Sequence, residues 1–239
     1  MMGLFINIQK PLISFDLNVS FSCARKRIMV LIGPSGAGKT TLMRLIAGLE
    51  RPETGIMIHE NQTWVDTEKG IFLPPRLRCV GYVFQDYPLF PHLNIQRNVA
   101  FATRNEEEVE TLMKGFDIWH LRGRKPHQVS GGERQRCAVC QALARQPRVL
   151  LLDEPFSALD VITRRTLRNK VIGLKSTLDI PIIYVTHDLN EALAIADDIL
   201  PLVAGVEDRT WIQQPAEGDD RSPVIPMKAA RKPRLSLAY

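Results

Sequence analysis

The stretch Ile28-Met29-Val30-Leu31-Ile32-Gly33-Pro34-Ser35-Gly36-Ala37-Gly38-Lys39-Thr40-Thr41-Leu42 decides the reading of the fold. Five consecutive apolar residues mark a strand covered on both faces. The next eight match the phosphate-binding pattern G-x-x-x-x-G-K-[ST]. Glycines let the backbone wrap a chain of phosphates with its N–H groups turned inward. Leu42, Leu45, Ile46 and Leu49 then recur at helical spacing, with Gly48 near the helix end. A helix starting here adds the positive end of its dipole to the phosphate site. In such a loop Lys39 reaches the outer phosphates of a nucleotide and Thr40 offers its hydroxyl to Mg²⁺.

Outward from this loop, strands and helices alternate. Leu4, Ile6 and Ile8, then Phe15, Leu17 and Val19, alternate with other residues as half-buried strands do. Further strands are expected at 56–65 (a hairpin), 80–84, 149–152 and 182–186. Helices are expected at 106–116, 134–145, 164–176 and 190–196. The order implies an α/β fold: a phosphate-loop NTPase core with a mainly parallel sheet, an N-terminal antiparallel β part and an inserted helical subdomain at roughly 86–128. The main domain is read as 1–218. Residues 219–239, with three prolines and little periodicity, read as a basic, mobile tail.

Composition narrows the class. A 239-residue chain that is 45% hydrophobic holds one large core. No apolar run approaches the length of a membrane span, and no secretory signal opens the chain, so a cytoplasmic protein is expected. The net charge of +5 is carried largely by the tail, which has five basic and two acidic residues. The rest is too nearly neutral to suggest a nucleic-acid groove, and no nucleic-acid partner is expected. Cys137-Ala138-Val139-Cys140 has the spacing of a redox or zinc pair, but no second pair exists. Both cysteines fall on one face of an expected helix and read as small buried hydrophobes.

A second motif is Val149-Leu150-Leu151-Leu152-Asp153-Glu154-Pro155, an apolar strand ending in two carboxylates. In phosphate-loop enzymes the first acid, here Asp153, supports Mg²⁺. Glu154 is placed to activate a water for attack on the γ-phosphate. A third is Ser130-Gly131-Gly132-Glu133-Arg134-Gln135-Arg136, just before a helix. Taken alone, Ser-Gly-Gly-Glu reads equally well as a helix N-cap box.

Together these resemble the ABC ATPase family. Ser130, Gly131, Gly132 and Glu133 match its signature motif, with Val129 and Glu133 replacing the usual Leu and Gln. Gln85 resembles the Q-loop glutamine, a further Mg²⁺ or water contact. Ser157-Ala158-Leu159-Asp160 resembles the D-loop, and His187 the switch histidine. The resemblance covers roughly residues 4–198. It implies ATP and Mg²⁺ as cofactors and ATP held by Gly33, Pro34, Ser35, Gly36, Ala37, Gly38, Lys39, Thr40 and Thr41. It implies catalysis by Glu154, His187, Gln85 and Lys39, and Mg²⁺ held by Thr40, Gln85 and Asp153. It also implies a head-to-tail dimer in which Ser130 to Glu133 act on the partner's ATP, with Ser157 and Asp160 between the copies.

The resemblance further implies peripheral attachment to the inner face of the cell membrane through permease subunits, with a solute-binding protein as an indirect partner. The segments 66–75, 80–86 and 89–92 look like the molybdate-importer branch, with sulfate and iron importers close to it. A soluble non-transport ABC ATPase and an exporter ATPase are the alternatives. Regulation by the β-rich second domain of many importer ATPases is not expected. The aromatic often found upstream of the phosphate loop is missing from 10–14, and Phe15 reads as core or as an adenine contact. Tyr87, Leu89, Phe90, Pro91 and Leu93 fit a docking groove or a core-forming turn.

Overall fold

A computed structural model of the chain describes residues 3–156 and 159–213. Three strands come first, β1 (Gly3–Pro11), β2 (Asp16–Ala24) and β3 (Ile28–Ile32), then helix α1 (Lys39–Ala47). The hairpin β4 (Thr54–His59) and β5 (Gln62–Asp66) follows, with β6 (Ile71–Phe72), α2 (Pro75–Arg78) and β7 (Val80–Val83). Helices α3 (Ile95–Val99), α4 (Glu106–Gly115) and α5 (Gly131–Ala144) form a helical layer. The chain returns through β8 (Val149–Asp153), α6 (Val161–Thr177), β9 (Ile182–Thr186) and α7 (Leu189–Ile195). It closes with β10 (Asp198–Val203), β11 (Val206–Glu207) and the short α8 (Thr210–Gln213).

The strand order is β6-β5-β4-β1-β2-β11-β10-β3-β9-β8-β7. From β10 to β7 every neighbour is parallel; from β2 to β6 every neighbour is antiparallel. The expected architecture is therefore present, with the antiparallel pair β10–β11 joining its halves. All five residues of β3, β8 and β9 are buried, because each face of the parallel half has its own core. Ile28, Val30 and Ile32 face the helical layer, while Met29 and Leu31 face α1.

Element ends depart from the sequence reading by a few residues, each with a local cause. Helix α1 stops at Ala47, before Leu49, because Gly48 turns left-handed (φ 78°) and its N–H bonds back to the Leu45 carbonyl. Helix α6 begins at Val161 rather than 164 because Asp160 caps it, accepting from the N–H groups of Ile162 and Thr163. Helix α5 packs on α3, on α4 and on the edge strand β7. Gly81 permits that approach, since a Cβ there would lie 2.8 Å from the Ala142 carbonyl oxygen.

Arg78 was not anticipated. It is fully buried, and its Nη1 donates to the carbonyls of Leu45 and Ile46, both at 2.8 Å, at the end of α1. Its Nε donates to Leu73, and the guanidinium lies 5.4 Å from the Trp64 ring. A cation thus closes the carboxyl end of the helix whose amino end carries the phosphate loop. Cys137 and Cys140 are buried free thiols within α5, as read. Among the described residues no helix is long and apolar enough to cross a membrane. Residues 219–239, read as the tail, lie outside the described residues, as does Ser157.

Candidate functional site

Parallel pairing aligns the carboxyl ends of β3, β9, β8 and β7. Ile32 pairs with Thr186, Asp153 with Val185, and Val83 with Leu152. Residues one or two beyond these ends therefore emerge along one edge of the sheet: Gly33, His187, Glu154 and Gln85. Four motifs far apart in sequence meet there because their strands are neighbours.

The phosphate loop runs from β3 into α1. Gly33 has φ 154°, and a Cβ on it would lie 1.9 Å from the Leu202 carbonyl oxygen of β10, so no larger residue fits. Gly38, with φ 98°, is the N-cap of α1. The Lys39 ammonium is buried and donates to the carbonyls of Gly33 (2.7 Å) and Pro34 (2.8 Å). Burial pulls its pKa below the usual lysine value, against the opposing pull of Glu154 and Asp153.

Asp153 ends β8 almost fully buried. Burial raises its carboxyl pKa, while hydrogen bonds from Thr40 and Tyr82 resist the rise. The Tyr82 hydroxyl donates to Asp153 Oδ2 at 3.3 Å. Glu154 follows in a left-handed conformation, φ 47°, unusual for a residue with a Cβ. Its N–H donates to the Val185 carbonyl (3.1 Å), and its Oε1 lies 3.2 Å from His187 Nδ1. The His187 loop is held from beneath. Buried Glu191 accepts from the hydroxyls of Thr186 (2.6 Å) and Tyr184 (3.0 Å), and the Asp188 N–H donates to Thr186 Oγ1.

Thr40 lies in the first turn of α1, Asp153 ends β8, and Gln85 is exposed where β7 ends beside β8. A hydroxyl, a carboxylate and an amide carbonyl are each hard oxygen donors of the kind that suits Mg²⁺.

The Ser130 motif lies at the start of α5. Ser130 Oγ accepts from the Glu133 N–H (3.3 Å), and Glu133 Oε2 accepts from the Ser130 N–H (2.7 Å), closing a capping box at the start of α5. Burial opposes ionisation of Glu133, yet the Ser130 bonds and Arg136 hold its carboxyl below the usual range. Among the described residues, the side-chain hydrogen bonds of Ser130 and Glu133 stay within this motif. Leu159 lies over Gly132, where a Cβ would come within 2.4 Å of its Cδ2.

Sequence reasoning missed Tyr82, Tyr87 and Glu191, which hold Asp153, Glu154 and the His187 loop. An aromatic in or after a strand, or a carboxylate on a helix, carries no signal of which group it will bond. Phe15, left open as core or contact, is half-buried beside the loop. A Cβ on Gly38 would meet Phe15 Cε2 at 3.5 Å and Leu12 Cδ1 at 3.8 Å.

The expected docking stretch divides. Phe90 lines a cavity of about 580 Å³ with Leu49, Pro75, Phe84, Phe101 and Ala138, and its ring lies 4.2 Å from that of Phe101. Tyr87 and Leu89 instead pack against the core of the helical layer.

Residues 17–157 match the ABC transporter family. The chain is 43% identical over 210 residues to the molybdate/tungstate import ATP-binding protein WtpC of Archaeoglobus fulgidus, spanning 85% of each. It is 40% identical to the molybdenum import ATP-binding protein ModC of Albidiferax ferrireducens, over 85% of this chain but only 57% of that one. Among solved structures, the dimeric ATP-binding cassette MJ0796, in a post-hydrolysis state bound to ADP and Pi, superposes with a TM-score of 0.73. That match has 27% identity and covers 86% of this chain and 96% of that one.

Proposed function

The chain belongs to the ABC transporter family as an ATP-binding, ATP-hydrolysing protein, and from that premise we propose that it drives import of molybdate or a related oxyanion through a membrane permease. One observation carries the catalytic half of this reading: the 3.2 Å contact of His187 with Glu154, beside Lys39 and Asp153 at one end of the parallel sheet. The names of the most similar relatives carry the solute.

In this reading Lys39 exchanges the Gly33 and Pro34 carbonyls for the β and γ phosphates of ATP, and the amide groups of the loop wrap them. Leu12 and Phe15 supply the apolar surface nearest the nucleotide. Thr40, Asp153 and Gln85 would hold Mg²⁺, which neutralises charge on the phosphate oxygens when bound. Glu154 accepts a proton from the attacking water as the water oxygen bonds to the γ-phosphorus. The bond from that phosphorus to the bridging oxygen of ADP breaks. His187 holds Glu154 and the γ-phosphate in register. A second copy, arranged head to tail, presents Ser130 and Gly132 to the same phosphate, with Asp160 between the copies. The amino end of α5 supplies the anion-binding dipole.

The apolar cavity beside β7 is the docking surface for a permease helix in this proposal. Its lining joins the end of α1, the segment after Gln85 and α5, so a helix seated there touches both the core and the helical layer. Attachment to the membrane then comes through the permease.

Uptake tests the reading. The chain, with the permease that co-purifies with it, is reconstituted in vesicles with ATP inside the compartment it faces. ATP-dependent accumulation of labelled molybdate supports the proposal. ATP hydrolysis with no flux of molybdate, tungstate or sulfate would remove the solute assignment and leave the ATPase standing.

A further inference from the structure

Tyr87 stands between the helix of the Ser130 motif and the backbone of Glu154. Its hydroxyl donates to the Glu154 carbonyl at 2.9 Å and accepts from Nε2 of Gln135. Gln135 is fully buried on α5, little more than one turn from Ser130. The single phenolic proton goes to the carbonyl, so Gln135 must present its amide N–H₂, and the direction of the chain of bonds is set. Both ends are conformationally committed. Tyr87 has φ 45° and Glu154 φ 47°, each a left-handed residue with a Cβ. Such positions persist only where surrounding contacts over-determine them.

We propose that Tyr87 is a positioning residue that transmits the placement of α5 to Glu154, and so couples the two nucleotide sites of the dimer. The proposal rests on the reading above, in which Ser130 engages the partner's nucleotide while Glu154 serves the chain's own. When Ser130 and Gly132 settle on the partner's γ-phosphate, α5 is held at its amino end. Gln135 moves with that helix as part of a rigid element. The bond through Tyr87 then sets the Glu154 peptide, and with it the direction of the carboxylate. A nucleotide in one site thereby prepares the glutamate of the other. Tyr87 touches neither nucleotide nor water in this scheme.

The experiment uses the full chain in its permease complex. ATP affinity, kcat, KM and the Hill coefficient are measured for the wild type, Tyr87→Phe, Gln135→Met, the double variant and Glu154→Gln. Tyr87→Phe keeps the ring and removes only the hydroxyl. The expected result is ATP affinity within about twofold, kcat lower by roughly five- to thirtyfold, and a Hill coefficient falling toward about 1. Gln135→Met should reproduce this, and the double variant should be no worse than either single, because one chain of bonds is cut in each. A merely structural hydroxyl would lower stability without removing cooperativity. Wild-type kcat and cooperativity in both single variants, or losses that multiply in the double, would overturn the relay. An inactive Glu154→Gln beside an unaffected Tyr87→Phe overturns the relay alone; an active Glu154→Gln overturns the catalytic reading and the relay with it.

Discussion

His187 Nδ1 lies 3.2 Å from Glu154 Oε1, although they are 33 positions apart in sequence with an entire helix and a strand between them. The contact exists because β8 and β9 are parallel neighbours that end together. Glu154→Gln preserves the shape of the site but cannot take up a proton. It should bind ATP normally and lose turnover by at least about 100-fold, the scale of a general base. His187→Ala should lower kcat with a smaller effect on nucleotide affinity. Steady-state hydrolysis alongside equilibrium binding of a fluorescent ATP analogue checks both.

Asp153 should trade stability for function. Burial raises its carboxyl pKa above the usual 3.8, so the fold favours the protonated acid. Far below pH 3.8 both folded and unfolded forms carry the proton, and no cost arises. As pH rises through 3.8 the unfolded chain ionises first, and stability falls until the folded carboxyl has ionised too. Asp153→Asn removes that cost and leaves an amide oxygen to accept from Tyr82. At neutral pH without Mg²⁺ it should melt at a higher temperature than the wild type. The advantage should vanish at low pH, and Mg²⁺-dependent hydrolysis should be lost. Melting curves across pH, read with an ATPase assay, decide this.

Arg78 closes the end of α1 with two bonds from one nitrogen, in a site where burial lowers its pKa to about 10. Arg78→Met leaves the Leu45 and Ile46 carbonyls without that donor. The Leu45 carbonyl still accepts from the Gly48 N–H, so the Ile46 carbonyl is the helix-end acceptor left bare, and an unsatisfied buried acceptor costs roughly 1–3 kcal/mol of unfolding free energy. Arg78→Lys should recover only part, because one ammonium cannot reproduce the planar fork. Urea denaturation measures the difference, and a wild-type midpoint for Arg78→Met would contradict it.

The cysteine pair should be inert. Burial pushes the Cys137 thiol up to about 12 and the Cys140 thiol well above its usual value. The thiolate is the reactive form, so neither should react with maleimide at pH 7 in the native protein. Cys79 is only partly buried and should label first. Mass spectrometry before and after unfolding reads the order; rapid native labelling of Cys137 would count against the packing described for α5.

Much of the candidate site was legible because each motif is local. Gly33 to Thr40, the Asp153-Glu154 pair, Gln85 and His187 all follow apolar strands, and a strand end is where the backbone can present a side chain. Tyr87, Gln135, Glu191 and Arg78 were not legible. Tyr87, Gln135 and Arg78 serve partners 32 or more residues away, and Glu191, though only five to seven residues from Thr186 and Tyr184, reaches them across a strand-to-helix turn that no local pattern marks. The docking stretch shows the same limit, since the composition of 87–93 suits both a groove and a core. Only packing sends Phe90 to the cavity and Tyr87 to the interior.

The sequence by itself determined the class of fold, the phosphate-loop motif and which residues follow the apolar strands. These depend on periodicity and on short runs, and so on interactions within a few residues. The tertiary structure decided which strands are neighbours, that Ser130 and Glu133 close a capping box on α5, and which hydroxyls and amides hold the acidic pair. Strand order and side-chain packing arise from contacts between residues distant in sequence. Their selection depends on how the two cores fill, which no local pattern specifies.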